Sequence, residues 1–451
     1  MQNILKTLIN YSLFTKYEKG YFIKNRVVPI LEDSISLKLA VCKSSNLQTI
    51  KDDFSKILNF VEVNELDILF LLSNLEIKIE LFLILQKINS GTDSYIKEFV
   101  EKILLFAIEK RASDMHIEKF ENRALFKFRV DGKLKIFFVI EFSYFSQISS
   151  YLKLLSNLDI TQIRLPLDGR FSLNIRDKKY DFRFSSMPTI EAESLVLRVL
   201  DSKNIDKSLQ TLGLSQNIYE ILINNLQISS GLILISGPTG SGKTTTLYSI
   251  LKELNSEDKK IITIEDPVEY KIPSINQIPV NSKIGLSFEL ALKNILRQDP
   301  DIIFIGEIRD KFSLDIALQA SLTGHLVLAS IHANSSLETI TRLLDLKADP
   351  FLIATSLKLV MAQRLVLNYC IKCASNGCSF CNFTKYYERS SIAEILKIDD
   401  ELSSLIFKKS NKQEFLNYLK SINFQTLKDD GMLKVRENKT SKEEVLKVVN
   451  I

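Results

Sequence analysis

The chain has 451 residues, too many for one ordinary core, and domain sizes of about 100–200 residues predict roughly three domains. Its 45% hydrophobic and 25% charged content excludes wholesale disorder. Lys and Arg number 59 against 54 Asp and Glu, a net charge of +5 with no long basic block, which argues against a nucleic-acid-binding protein.

The N-terminus shows no apolar run ending in a small-residue cleavage site, so the chain is expected to stay in the cytoplasm. The most apolar stretch, Leu66 to Leu85, is interrupted by Asp67, Glu76, Lys78 and Glu80 and falls short of the ~20 uncharged residues of a bilayer span. Short apolar runs at Val27-Val28, Leu37 to Val41 and Phe60-Val61 alternate with helical segments such as Ile50 to Leu58, as in a small α/β module. Turn chemistry at Asn89-Ser90-Gly91-Thr92 predicts the first domain boundary.

Ile96, Phe99, Val100, Ile103, Leu104 and Ala107 then recur at helical spacing behind capping candidates Thr92 to Ser94. Phe126, Phe128 and Val130 alternate with Lys127 and Arg129 before Asp131-Gly132, a hairpin signal, and Leu134 to Val139 continue as a strand. With strands at Phe171 to Ile175, Tyr180 to Ser185 and Leu195 to Leu200, this region reads as an α+β domain. Beyond Gly213 short apolar strands (Gly231 to Ser236, Ile261 to Ile264, Ile302 to Ile305, Leu326 to Ile331) alternate with helical segments, the pattern of a parallel sheet covered on both faces. The tail after Cys381 reads as helical at Ile392 to Leu396, Leu402 to Phe407, Lys412 to Leu419 and Ser441 to Val449.

Gly237-Pro238-Thr239-Gly240-Ser241-Gly242-Lys243-Thr244 links a strand to a helix, the context a P-loop requires. Glycines let backbone N–H groups wrap a phosphate, the helix N-terminus adds a favourable dipole, Lys243 neutralises β- and γ-phosphates, and Thr244 holds magnesium. The strand Ile261 to Ile264 ends in Glu265-Asp266-Pro267-Val268-Glu269, where one carboxylate is placed to orient or deprotonate water. Asp301 to Glu307 has the form of a Walker B strand ending in Glu rather than Asp, so Glu307 is a magnesium ligand, direct or through water. His325 and His332, two of three histidines, bracket the strand Leu326 to Ile331, while His116 reads as structural. Four of five cysteines form Cys370-x2-Cys373-x4-Cys378-x2-Cys381, two thiolate pairs able to surround one tetrahedral zinc; Cys42 reads as a buried thiol.

In this order the motifs resemble the type II secretion and type IV pilus-assembly ATPase family: P-loop at Gly237 to Thr245, aspartate box at Thr263 to Tyr270, Walker B at Gln298 to Asp310 and histidine box at Thr323 to Asn334. The resemblance extends to Arg111 to Glu118, to Arg164 to Arg170, to the cysteines and to the tail around Glu394 and Asp429-Asp430-Gly431. It implies an α/β fold with a small N-terminal docking module (1–90), a PAS-like α+β domain (91–205), a RecA-like ATPase core (206–366) and a tetracysteine and helical region (367–451). The family pattern makes Glu269 the water-activating base, puts Glu307 in the magnesium network and gives His325 and His332 sensing or positioning roles near the γ-phosphate. It also supplies Arg170 and Arg183 to the nucleotide from the second domain, with Arg198 a further candidate.

The implied protein is a cytoplasmic, inner-membrane-peripheral homohexamer that hydrolyses ATP with magnesium, carries structural zinc, and engages a platform protein and a docking protein but no nucleic acid. Two alternatives stay open: an ATP-binding structural or regulatory ring subunit, and a nucleic-acid translocase.

Overall fold

The computed structural model describes residues 4–88, 94–176, 178–200, 207–281 and 284–449. The expected boundary at Asn89 to Thr92, and the cap candidates Thr92 and Asp93, lie outside the described residues. The chain divides into two compact units: Met1–Asp201 with Cys370–Tyr387, and Ser202–Tyr369 with Glu388–Ile451. The cysteine segment thus groups with the first unit rather than with the C-terminal region to which the sequence assigned it.

In the first unit, β1 (Val28–Glu32), β2 (Ser36–Val41) and β3 (Ile57–Glu62) form a small sheet, antiparallel then parallel. A second, antiparallel sheet comprises β4 (Ala112–Phe120), β5 (Arg123–Val130), β6 (Lys133–Glu141), β7 (Leu167–Ile175), β8 (Lys178–Pro188) and β9 (Glu193–Leu200), ordered β6-β5-β4-β9-β8-β7. Asp131 and Gly132 both adopt positive φ (50° and 84°), the pair of left-handed residues a two-residue hairpin turn demands. Period-two alternation buries Phe126, Phe128, Phe182, Phe184, Leu195 and Leu197 on one face. The helix Ser94–Glu109 covers that face, with Phe99 edge-on to Phe126 and Phe106 edge-on to Phe128. The opposite face is mixed: Asp114, Lys127 and Arg129 share it with the buried pair Leu125 and Val139.

The second unit holds a seven-stranded sheet: β10 (Gly231–Ser236), β11 (Ile261–Glu265), β12 (Asn276–Pro279), β13 (Ile302–Ile305), β14 (Leu326–Ile331), β15 (Leu357–Tyr369) and β16 (Tyr386–Lys397), ordered β12-β11-β13-β14-β10-β15-β16. From β12 to β15 every neighbouring pair is parallel. Strands β10, β11, β13 and β14 are buried throughout, between two hydrophobic clusters, which is why they read as unbroken apolar runs. Parallelism brings their carboxyl ends to one rim.

The tail differs from the sequence reading in a further helix, Leu427–Arg436, and in one segment of the opposite type. Ile392 to Leu396, read as helical, lies inside β16, where Ile392, Ala393 and Leu396 are buried. An apolar run enclosed on both sides has no period by which strand and helix are told apart.

Candidate functional site: a phosphate loop and its rim

β10 leads into Gly237, and the helix Lys243–Leu254 starts at the end of the glycine loop, with Gly242 at φ 93° as its N-cap. Leu247, Tyr248, Ile250 and Leu251 anchor that helix in the core, so its N-terminal turn is held at the rim. Lys243 is buried and donates to the carbonyls of Gly237 (2.7 Å) and Pro238 (3.1 Å). Burial draws its pKa down to about 8; nearby Glu307 opposes this and Arg364 adds to it.

The three carboxylates after β11 separate in character. Glu265 is buried and accepts hydrogen bonds from Tyr248, from Thr263 (2.6 Å) and from Gln277 (3.2 Å); burial raises its pKa despite those donors. Three donors thus engage its two oxygens. Asp266 and Glu269 are exposed, and the Tyr248 hydroxyl accepts from the Glu269 backbone N–H at 3.3 Å.

At the end of β13, Glu307 faces Arg309 and His332. Its Oε2 meets Arg309 Nε at 2.8 Å and its Oε1 meets His332 Nε2 at 3.0 Å. The structure therefore brings Glu307 and His332 together with Lys243 at one rim. His325 sits at the other end of β14, where its carbonyl accepts from the Gly231 N–H and its Nδ1 lies 3.0 Å from the Ala320 carbonyl. Within one chain six strand residues, about 20 Å, separate it from His332.

The face of the six-stranded sheet opposite the helix Ser94–Glu109 carries an arginine row. Arg170 pairs across with Arg183, Arg183 with Arg198, Arg198 with Asp114 and Asp114 with Arg129, spanning β7-β8-β9-β4-β5. Directly paired residues share a face, so four guanidinium groups and one carboxylate line up. Asp114, only 7% exposed, accepts from Arg198 Nε at 3.0 Å and lies 3.6 Å from Arg129 Nε. Among the described residues Arg170 and Arg183 have no ion-pair partner. Asp114 and Arg129 were not singled out in the sequence; aligning the hairpin registers would have shown them. His116 is half-buried on this same face, its Nε2 without a hydrogen-bond partner among the described residues.

The four cysteine sulfurs all lie within 4.8 Å of one another, with separations of 3.9, 3.8 and 3.9 Å for Cys370–Cys378, Cys373–Cys381 and Cys378–Cys381. Zinc–sulfur bonds of ~2.3 Å in a tetrahedron require sulfurs ~3.8 Å apart, so the donor set fits zinc. Backbone N–H groups of Gly377 and Cys378 donate to Cys373 and Cys381 sulfurs, each at 3.3 Å, the kind of donor that a metal-bound thiolate would need. The short linker of Ala374 to Gly377 is no obstacle to this geometry. Cys42 is a buried thiol.

A strand, a glycine loop and a helix, flanked by carboxylates at neighbouring strand ends, define a P-loop nucleotide-binding protein. Residues 89–447 match the family described as "Type II/IV secretion system protein", and the chain belongs to that family of secretion ATPases. It is 41% identical over 357 residues to the Type II secretion system protein HxcR of Pseudomonas aeruginosa, covering 77% of this chain and 76% of that protein. It is 39% identical over 386 residues to the Type II secretion system ATPase E of Vibrio cholerae, covering 80% and 76% respectively. Among solved structures, the pilus retraction motor PilT with bound ADP superposes with a TM-score of 0.57 at 26% identity, covering 77% of this chain and 96% of that one. The Legionella pneumophila ATPase DotB gives a TM-score of 0.62 at 23% identity, covering 78% and 95%, a likeness of fold alone.

Proposed function

We propose that the chain is a magnesium-dependent ATPase that works as a hexameric ring at the cytoplasmic face of the inner membrane and powers assembly of a pseudopilus or pilus. The observation that carries this reading is the meeting of Lys243, Glu307 and His332 at one rim beside the helix N-terminus. The second unit is a RecA-like core on this reading, and the arginine-bearing sheet a PAS-like domain.

Backbone N–H groups of Gly237 to Thr245 bind the phosphates, and Lys243 turns from its loop carbonyls to the β- and γ-oxygens. Thr244 and Glu307 would hold magnesium, which supplies charge neutralisation for those oxygens. Glu269, exposed and unburdened by the side-chain bonds that occupy Glu265, accepts the proton of the attacking water. His332, fixed by Glu307, positions the rim near the γ-phosphate, and Arg170 and Arg183 bring positive charge from the first unit. His325 stands apart from this set within one chain, and any part it plays runs through the helix Lys311–Leu322, whose Ala320 carbonyl it contacts. Cys370, Cys373, Cys378 and Cys381 hold a structural zinc. The small N-terminal module docks a membrane-associated partner, and a membrane platform protein receives the motion.

Phosphate release by the purified chain, measured with the platform protein's cytoplasmic domain or with DNA, tests the reading. Stimulation by the platform domain alone is expected. Stimulation by DNA alone would favour a nucleic-acid translocase, and ATP binding without turnover a regulatory ring subunit.

A further inference from the structure

Two adjacent polar residues in the middle of strand β15 are buried: Gln363 is 1% exposed and Arg364 is 4% exposed. Neither belongs to the glycine loop, to the carboxylates or to the histidines. Burying an amide and a guanidinium is costly unless they are paired, so their partners reveal what they hold.

Gln363 is built against the phosphate loop. β15 runs parallel to β10 with Ala362 opposite Ser236, which sets Gln363 beside Gly237. Its Nε2 donates to the Ser241 carbonyl at 3.0 Å and to Ser391 Oγ at 3.1 Å, and its Oε1 accepts from Thr246 Oγ1 at 2.7 Å. A Cβ on Gly242 would stand 2.8 Å from Gln363 Nε2, and one on Gly237 2.7 Å from the Gln363 carbonyl. The loop lies directly on this residue.

Arg364 ties the same point to the histidine turn. Its Nη1 donates to the Gln363 carbonyl (3.0 Å), and its Nη2 to the Asn334 carbonyl (2.9 Å) and to Asn334 Oδ1 (3.3 Å), two residues beyond His332. Its charge is felt at Lys243. Arg364 Nε and Ser241 Oγ are buried without a partner among the described residues, two uncommitted donors at the base of the loop.

From there the bonds run outward to the tail. Two residues past Asn334, the Ser336 N–H and Oγ donate to Glu394 at 2.6 and 2.9 Å. The other Glu394 oxygen accepts at 2.9 Å from the N–H of Leu427, the first residue of the helix Leu427–Arg436. Glu394 shares β16 with Ser391, the second partner of Gln363, so both routes converge on one strand. Asp430 of that helix in turn accepts from the Ala393 N–H at 2.9 Å.

We propose that Gln363 and Arg364 are positioning residues that clamp the phosphate loop to the His332–Asn334 turn, and that through Glu394 they transmit nucleotide occupancy to the helix Leu427–Arg436. The inference rests on the reading of ATP at the phosphate loop. Contiguity alone does not demonstrate coupling, so the test reads both ends of the chain of bonds separately.

Hydrogen exchange of the full chain is followed with and without a magnesium-bound non-hydrolysable ATP analogue, for wild type, Arg364→Lys and Glu394→Gln. In wild type the analogue slows exchange both in 237–245 and in 427–436. In both variants it still protects 237–245, while protection of 427–436 is lost. Arg364→Lys is also expected to lower kcat about tenfold or more with KM changed less than about threefold, the mark of misplacement rather than lost binding. Glu394→Gln leaves the loop's own partners in place and serves if Arg364→Lys does not fold. Protection of 427–436 that persists in the variants, or is absent in wild type while 237–245 is protected, overturns the proposal. Absence of protection at 237–245 in wild type would instead overturn the ATP-site reading, and this inference with it.

Discussion

His332 Nε2 stands 3.0 Å from Glu307 Oε1, a contact that joins the carboxyl ends of two neighbouring parallel strands, β14 and β13. Arg309 holds the other Glu307 oxygen at 2.8 Å, so the carboxylate is fixed from both sides while only half-buried. A group so oriented has a defined direction in which to meet a magnesium ion or its water.

Replacing Glu307 by Gln keeps its shape and removes its charge. The expected outcome is a fall in kcat of about a hundredfold or more with a small change in KM, read from steady-state phosphate release at saturating magnesium.

Lys243 gives a pH signature. Its pKa near 8 means that the empty site loses the ammonium proton as pH rises through that value, whereas a bound phosphate favours the charged form and raises the pKa. ATP binding should therefore take up a proton above pH 8, and the dissociation constant should weaken about tenfold between pH 7 and 9. Calorimetry in buffers of different ionisation enthalpy measures both, and Lys243→Arg should flatten the profile.

Much of this rim was legible in the sequence because its residues sit at strand ends in motifs with a fixed chemical logic. Gly231 to Ser236, Ile302 to Ile305 and Leu326 to Ile331 match their observed strands residue for residue. What stayed hidden depended on register. β15 was not foreseen, and with it went Gln363 and Arg364, although adjacent polar residues inside an apolar run are themselves a sign of required buried partners. Glu394 was noticed as part of a resemblance, but the surrounding Ile392 to Leu396 read as helix, which hid its place beside Ser391. The alignment of Arg170, Arg183 and Arg198 arises from two strand pairings that no single segment encodes.

The arginine row separates free from engaged cations. Arg170→Ala and Arg183→Ala should each lower kcat/KM by about tenfold or more, and their double variant should fall short of the product because neighbours on one row couple. Arg198→Ala, whose Nε is committed to Asp114, should cost less. Equal losses at all three positions would contradict the distinction.

Zinc should be found at about one ion per chain by elemental analysis. Cys378→Ser or a strong chelator should remove it and lower the melting temperature by about 5 °C or more, since metal binding adds to the stability of the segment it folds. A metal-free chain with unchanged melting would count against the site.

Hydrolysis of ATP at the phosphate loop needs a base, and Glu269 is the one proposed. Its most direct measurement is magnesium-dependent phosphate release by the full chain carrying Glu269→Gln, made alongside ATP binding. Binding is expected to stay within about threefold of wild type while turnover falls by about a hundredfold or more. Phosphate release at the wild-type rate would contradict that assignment.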